Sequence, residues 1–217
     1  MGRRLLAEGL GALLLAAAII GSGIMAERLA DGNLAVALLA NTGATMAALA
    51  TLIAIFGPIS GAHFNPVVSL VAAANGDLRA PQLAGYIAVQ IAGCCAGALL
   101  ANAMFELPLV NASTHVRTGM AQWLSESVAT AGLVLVVLTS PSVREAAWRV
   151  PAWIGAAYWF TASTSFANPA ITIGRSLSDT FAGIRPADVP WFIVGQIAGG
   201  VAGVLLGRVY HVNGTND

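Results

Sequence analysis

Two asparagine-proline pairs are the residues of this sequence whose type and spacing suggest chemistry. They lie in the triplets Asn65-Pro66-Val67 and Asn168-Pro169-Ala170. Proline suits the first position of a helix, where no N–H donor is needed, and asparagine suits the capping position before it. The pairs therefore predict two short helices, at about 66–74 and 169–178.

Helices that begin in this way can bind neutral polar molecules. A helix N-terminus carries about half a positive charge, and the amides of Asn65 and Asn168 can donate hydrogen bonds beside it. Carbonyl groups of the preceding loops can accept them. We expect a narrow path that passes neutral molecules and repels cations and protons, with Gly61, His63 and Phe64 along its wall.

The rest of the chain indicates a membrane setting for these two helices. Of its 217 residues, 57% are hydrophobic and 9% are charged, whereas a soluble domain carries about 25% charged residues. Six apolar segments are long enough to cross a hydrocarbon core of about 30 Å, at about 5–25, 34–56, 80–101, 121–140, 147–164 and 190–210. The sequence shows no basic patch, so we expect no nucleic-acid partner.

The two halves of the sequence carry the same polar residues in the same order. Glu8 and Glu126 come first, the Asn-Pro pairs follow, and Gln90 and Gln196 come last. Three spans per half is an odd number, so the second half must be inverted relative to the first. We expect one channel domain over 1–217 with repeats at about 1–104 and 118–217. Arginine distribution weakly favours cytoplasmic termini.

The two glutamates leave an alternative open. A carboxylate at membrane depth costs a few kcal/mol unless it is paired, and an ion- or proton-coupled secondary transporter would use such groups with inverted repeats and broken helices.

No metal cluster, nucleophile pair or phosphate-binding loop is visible in the sequence. We therefore expect neither enzymatic activity nor a cofactor or bound metal.

The motifs "SGAHFNPVVSL" and "FANPAITIGRS", with the paired Glu and Gln residues, resemble the aquaporin and glycerol-channel family of major intrinsic proteins. The resemblance implies an all-α fold with six transmembrane helices and two re-entrant half-helices. It also implies a homotetramer surrounded by membrane lipid, and passive conduction of water and small neutral solutes. Glu8, Glu126, Gln90 and Gln196 would hold the broken loops, and Val67 replaces the usual alanine.

The family's outer selectivity filter normally contains an arginine three residues after the second asparagine. Counting from the asparagines, the resemblance implies the filter positions Thr45, Ala156, Ser165 and Ile171. The chain has isoleucine where the arginine is expected, so we expect a wider and less polar ring. Solutes larger than water, such as glycerol or urea, should then pass.

The stretch "AAYWFTASTSFANPAITIGRSLSDTFAGI" is similar to a bacterial subgroup that lacks the filter arginine and is associated with arsenic-resistance operons. That similarity implies the inner, plasma membrane of a bacterium, and adds arsenite and methylated arsenicals as candidate solutes. Arg175 lies seven residues after Asn168, about 10 Å nearer the outer mouth. It either attracts water or anions there or pairs with Asp179.

Overall fold

The computed structural model describes residues 1–212, which form eight α-helices and one short 3-10 turn. The helices are α1 (Gly2–Leu29), α2 (Leu34–Ser60), α3 (Pro66–Ala74), α4 (Ala80–Met104), α5 (Met120–Leu138), α6 (Val143–Phe160), α7 (Pro169–Arg175) and α8 (Val189–Val212). The turn, Pro186–Asp188, leads directly into α8. This part of the chain contains no β-strand.

Six of these helices are long and two are short. By length and composition, α1, α2, α4, α5 and α8 can each cross a membrane. α6 has 18 residues and does not reach the same apolarity, because its first turns contain Arg144, Glu145 and Arg149. It begins and ends four residues before the predicted 147–164 segment, since the Ser142 hydroxyl caps it by accepting a hydrogen bond from the N–H of Glu145.

α1 packs along α4, and α5 packs along α8, with very close backbones. A Cβ atom at Gly97 on α4 would lie 2.3 Å from the carbonyl oxygen of Leu13 on α1. A Cβ atom at Gly199 on α8 would lie 2.2 Å from the carbonyl oxygen of Ser127 on α5. Small residues are what permit such approach, because membrane helices associate through close packing rather than through a hydrophobic driving force.

The short helices α3 and α7 begin at Pro66 and Pro169, where the sequence predicts them. The side chain of Asn65 accepts a 2.9 Å hydrogen bond from the N–H of Val67. That of Asn168 accepts one of 3.0 Å from Ala170. At nine and seven residues, each spans less than half of a hydrocarbon core of about 30 Å. α7 ends three residues before the predicted boundary, in a tight turn.

The segment between α4 and α5 folds back over the end of α7. The N–H of Asn111 donates to the carbonyl of Leu177 at 3.0 Å, and that of Ser113 donates to the carbonyl of Ser176 at 3.0 Å. The N–H of Arg185 donates to the carbonyl of His115 at 2.8 Å. These bonds bring Arg117 close to the turns that follow α7, the helix that ends at Arg175.

Candidate functional site

Left-handed backbone precedes both short helices at matching positions. Before α3, Ala62 has φ 50° and Phe64 has φ 49°, and before α7, Ser165 has φ 49° and Ala167 has φ 48°. A residue other than glycine held in this region costs of order 1 kcal/mol or more. Such a conformation persists only where surrounding groups enforce it, and here those groups are two buried carboxylates.

The carboxylate of Glu8 holds the loop before α3. Its Oε1 accepts hydrogen bonds from the hydroxyl of Ser60 at 2.6 Å and from the N–H of His63 at 3.0 Å. Its Oε2 accepts from the N–H of Phe64 at 2.8 Å and from the Nε2 of Gln90 at 2.8 Å. Glu8 is fully buried, and these donors supply the pairing that its charge requires.

The carboxylate of Glu126 holds the loop before α7 in the same way. Its Oε1 accepts from the hydroxyl of Ser163 at 2.6 Å and from the N–H of Phe166 at 2.9 Å. Its Oε2 accepts from the N–H of Ala167 at 2.8 Å and from the Nε2 of Gln196 at 2.6 Å. Both carboxylates are therefore occupied by four donors each, and both stand behind the loops that they hold.

The tips of α3 and α7 are joined by a reciprocal pair of hydrogen bonds. The Nδ2 of Asn65 donates to the carbonyl of Ala167 at 2.8 Å, and the Nδ2 of Asn168 donates to the carbonyl of Phe64 at 2.8 Å. A primary amide has two N–H donors, so each asparagine keeps one donor beyond this bond. Both asparagines also line the cavity described next.

A cavity of about 160 Å³ runs past the two tips. One water needs roughly 10–15 Å³ by the same kind of measure, so the cavity can hold a file of waters or a small solute. Residues named from the sequence that line it are Gly61, His63, Asn65, Asn168, Thr45, Ser165, Ile171 and Arg175. Much of the remaining wall is aliphatic, with Leu15, Ile19, Leu49, Ile53 and Val150 among the contributors.

Phe64 is predicted to line the path, and the structure places its ring elsewhere. Its ring turns away from the cavity and packs edge-on against Phe56, at 6.1 Å between ring centroids. It fills the space beside Gly11 on α1, where a Cβ atom would lie 1.9 Å from the ring. Four residues of the triplets, Pro66, Val67, Pro169 and Ala170, are buried beside the tips. Val67 packs against Gly200 on α8.

Ala156 was predicted to be a filter position, and the structure places it elsewhere. It is exposed on the outside of α6, whereas Tyr158 is 3% exposed and lines the cavity. Two residues along a helix correspond to about 200° around its axis, so the two side chains face opposite ways. The Tyr158 hydroxyl lies 3.5 Å from that of Thr45. Tyr158 therefore occupies the filter position that was assigned to the smaller residue Ala156.

Arg175 lines the cavity, but the alternative prediction that it pairs with Asp179 is wrong. α7 ends at Arg175, so no helical turn brings the two side chains together. Asp179 instead accepts a 2.7 Å hydrogen bond from the N–H of Thr114. The Nε of Arg175 donates to the carbonyl of Ala182, and its guanidinium carbon lies 3.3 Å from the centroid of the Phe166 ring.

His63 lines the cavity on the other side of the tips from Arg175. Its Nδ1 lies 3.0 Å from the hydroxyl of Ser69, and that hydroxyl also accepts a 2.9 Å hydrogen bond from Gln90. Among the side chains that the structure describes, those of residues 1–209, there is no group of three His, Cys, Asp or Glu that could hold a metal ion. The ring is thus oriented by a hydroxyl group.

Sequence reasoning missed several residues that build this site. The hydroxyls of Ser60 and Ser163 each bond a glutamate, and each lies five residues before an Asn-Pro asparagine, a spacing that the sequence displays. The sequence gives no comparable spacing signal for Phe166 and Arg117, because a long loop brings Arg117 to the Phe166 ring. The Arg117 guanidinium carbon lies 5.1 Å from the centroid of the Phe166 ring.

Comparison with known proteins identifies the family. The model of the major intrinsic protein family matches residues 1–162. The chain is 53% identical to aquaglyceroporin AqpS of Rhizobium meliloti over 95% of this chain and 89% of that protein. It is 30% identical to a probable glycerol uptake facilitator protein of Thermotoga maritima, over 93% and 96% of the two chains.

The fold is also that of a solved family member. The X-ray structure of the aquaglyceroporin from Plasmodium falciparum superposes with a TM-score of 0.70 at 20% identity, covering 96% of this chain and 95% of that one. The expected all-helical aquaporin fold is therefore confirmed, and with it a multi-pass membrane protein that is not an enzyme. The chain belongs to the major intrinsic protein family, whose members are channels for water and small neutral solutes.

Proposed function

We propose that this chain is a passive channel for water and for small neutral hydroxylated solutes of the size of glycerol. The observation that carries the proposal is the pair of asparagines at the abutting tips of α3 and α7. Each lines the cavity and has two amide donors, of which one joins the two tips and the other remains for a solute. A passing oxygen atom can accept a hydrogen bond there without a charge being moved.

The same tips oppose the passage of cations. Two helix N-termini face one another at this point, and each contributes about half a positive charge. Their capping atoms are already committed, since the Oδ1 of Asn65 accepts from Val67 and that of Asn168 accepts from Ala170. A cation would meet donors and positive dipoles, whereas a neutral hydroxyl group can both donate to loop carbonyls and accept from the amides.

The proposed filter consists of Thr45, Tyr158, Ser165 and Ile171, with Tyr158 in the place first assigned to Ala156. Ile171 offers no donor and is 2% exposed, so this ring has hydroxyl groups on one part and an apolar wall on another. Such a mixed lining suits a solute with a polar face and a carbon backbone. The names of the two relatives, an aquaglyceroporin and a probable glycerol uptake facilitator, support glycerol.

Other neutral solutes fit the same chemistry. Urea, arsenite and methylated arsenicals remain candidates on the likeness to the arsenic-operon subgroup. An ion- or proton-coupled transporter is disfavoured because it needs carboxylates that can bind the coupling ion. Glu8 and Glu126 each accept four hydrogen bonds from the protein, and neither is among the residues that line the cavity.

The proposal includes an assembly and an orientation. The chain is one channel domain of two inverted repeats, about 1–104 and 118–217, and it forms a homotetramer with one pore per subunit. Both termini lie in the cytoplasm of a bacterium and the helices span its inner membrane. The Arg175 end of the cavity then faces outward and the His63 end faces the cytoplasm.

Light scattering from proteoliposomes tests the proposal. After rapid mixing, vesicles containing the protein should shrink faster than empty vesicles when osmotically stressed, and should then swell faster when glycerol is the external solute. Rapid water movement with no glycerol, urea or arsenite movement would contradict the proposed filter. Vesicles that behave like empty ones for every solute would contradict the channel itself.

A further inference from the structure

Arg175 has N–H donors that no described residue accepts. A guanidinium carries five N–H donors, and among the described residues only the Nε of Arg175 has a hydrogen-bond acceptor, the carbonyl of Ala182. The side chain is 3% exposed and lines the cavity. Leaving a buried charge without partners is costly, so the contents of the cavity must supply acceptors for the remaining donors.

The guanidinium is held in place rather than free to move. It lies over the Phe166 ring at 3.3 Å from the centroid, a geometry typical of arginine stacking on aromatic rings. That ring is itself fixed, because the Phe166 N–H bonds Glu126 at 2.9 Å and the ring packs edge-on against Phe192 at 5.0 Å. The guanidinium of Arg175 therefore presents its N–H donors in a fixed orientation.

No carboxylate of the described residues forms a salt bridge with Arg175. The two salt bridges found among the described side chains, those of residues 1–209, join Arg149 to Glu145 and Arg185 to Asp188. Arg117 adds a second cation near the same ring, at 5.1 Å, but its guanidinium is committed to backbone carbonyls, which are those of Gly183, Ser163 and Phe181. Arg175 is thus the arginine of this pair that remains available to a ligand.

Arg175 follows Ile171 by four residues of α7, which places it on nearly the same face and about 6 Å further along the helix axis. We propose that Arg175 is a specificity-determining residue that supplies, one helical turn beyond Ile171, the guanidinium of a displaced filter. It binds solutes that present two neighbouring oxygen acceptors, as glycerol does, before they reach the apolar wall at Ile171. This inference rests on the proposed channel function.

The test compares water and glycerol permeability in proteoliposomes carrying variants of one residue. Arg175→Leu should lower the ratio of glycerol to water permeability about tenfold, the effect of losing about 1.4 kcal/mol of interaction. Arg28→Leu is the matched control, since Arg28 also stacks on a phenylalanine, at 5.1 Å from Phe105, and donates to a backbone carbonyl, but outside the cavity. Its ratio should equal that of the unmodified protein.

Two further variants keep the test decisive if Arg175→Leu does not fold. Arg175→Lys keeps the charge without the fork, and Arg175→Gln keeps donors without the charge, so both should give intermediate ratios. A ratio that is unchanged in all variants, or that rises because the side chain merely obstructed the path, would overturn the inference. An unmodified protein that passes neither water nor glycerol would instead overturn the proposed function.

Discussion

The side-chain amide of Asn65 donates a 2.8 Å hydrogen bond to the carbonyl oxygen of Ala167, 102 residues further along the chain. This bond and its reciprocal, from Asn168 to Phe64, join two short helices that are far apart in the sequence. Each asparagine thus caps its own helix, fixes the opposite tip and presents a donor to the cavity. A substitution at either position should affect stability and conduction together.

Asn65→Ala and Asn168→Ala should both destabilise the protein and to a similar extent. Each loses a helix cap, which costs roughly 0.5–2 kcal/mol, and leaves a carbonyl of the opposite loop unpaired. Thermal unfolding in detergent measures the effect. Asn33→Ala serves as the control, because Asn33 caps α2 at an exposed site by accepting from Ala35 and Val36 but contacts no second tip. A loss of thermal stability no larger than that of Asn33→Ala would contradict the role of Asn65 and Asn168 in joining the two tips.

Glu126→Gln should impair folding, and Glu8→Gln should do the same. Glutamine replaces one acceptor oxygen by an NH₂ group, so at least one buried backbone N–H that faces it loses its acceptor, at about 1–3 kcal/mol. The yield of monodisperse protein after solubilisation reports the loss, with the exposed Glu106→Gln as the control. A well-folded Glu126→Gln protein whose flux had lost a dependence on pH would favour a proton relay instead.

Ile171→Arg should reduce glycerol permeability more than water permeability. The new side chain would enter a cavity wall where Ile171 is 2% exposed, and it would narrow the ring beside Tyr158. Ile171→Leu conserves volume and should leave the ratio of the two permeabilities nearly unchanged. An equal loss for both solutes in Ile171→Arg would show that residue 171 does not select between them.

Tyr158→Ala should raise the permeability of solutes larger than glycerol, whereas Ala156→Ser should change nothing. Tyr158 lines the cavity and lies 3.5 Å from the Thr45 hydroxyl, while Ala156 is exposed on the other side of α6. Swelling assays with erythritol, a four-carbon polyol, report the difference. A response to Ala156→Ser as large as that to Tyr158→Ala would restore the original filter assignment.

The sequence predicts the fold because its strongest signals are local. Apolar length marks the long helices, and asparagine followed by proline marks the starts of α3 and α7, since capping depends on neighbouring residues alone. The role of the two buried carboxylates can also be predicted from the sequence, because a charge at membrane depth requires partners and matched donors recur in both halves. These features need no knowledge of how distant segments approach.

The errors lie where side-chain direction depends on distant packing. Counting back from Asn168 to Ala156 crosses the irregular stretch after Phe160, and a shift of two residues reverses the face of α6. Phe64 follows its left-handed backbone toward Gly11, which sequence spacing does not indicate. Arg175 was expected to meet Asp179 through a helical turn, but α7 ends first, and the loop carrying Thr114 takes that carboxylate.

The central claim is that neutral solutes pass two joined asparagine tips without a coupled ion. The most direct test is glycerol uptake into proteoliposomes measured with and without imposed proton and sodium gradients, with an internal pH indicator recording proton movement. We expect uptake that rises linearly with glycerol concentration, is independent of both gradients and carries no protons. Uptake that saturates, depends on a gradient or acidifies the vesicle interior would contradict it.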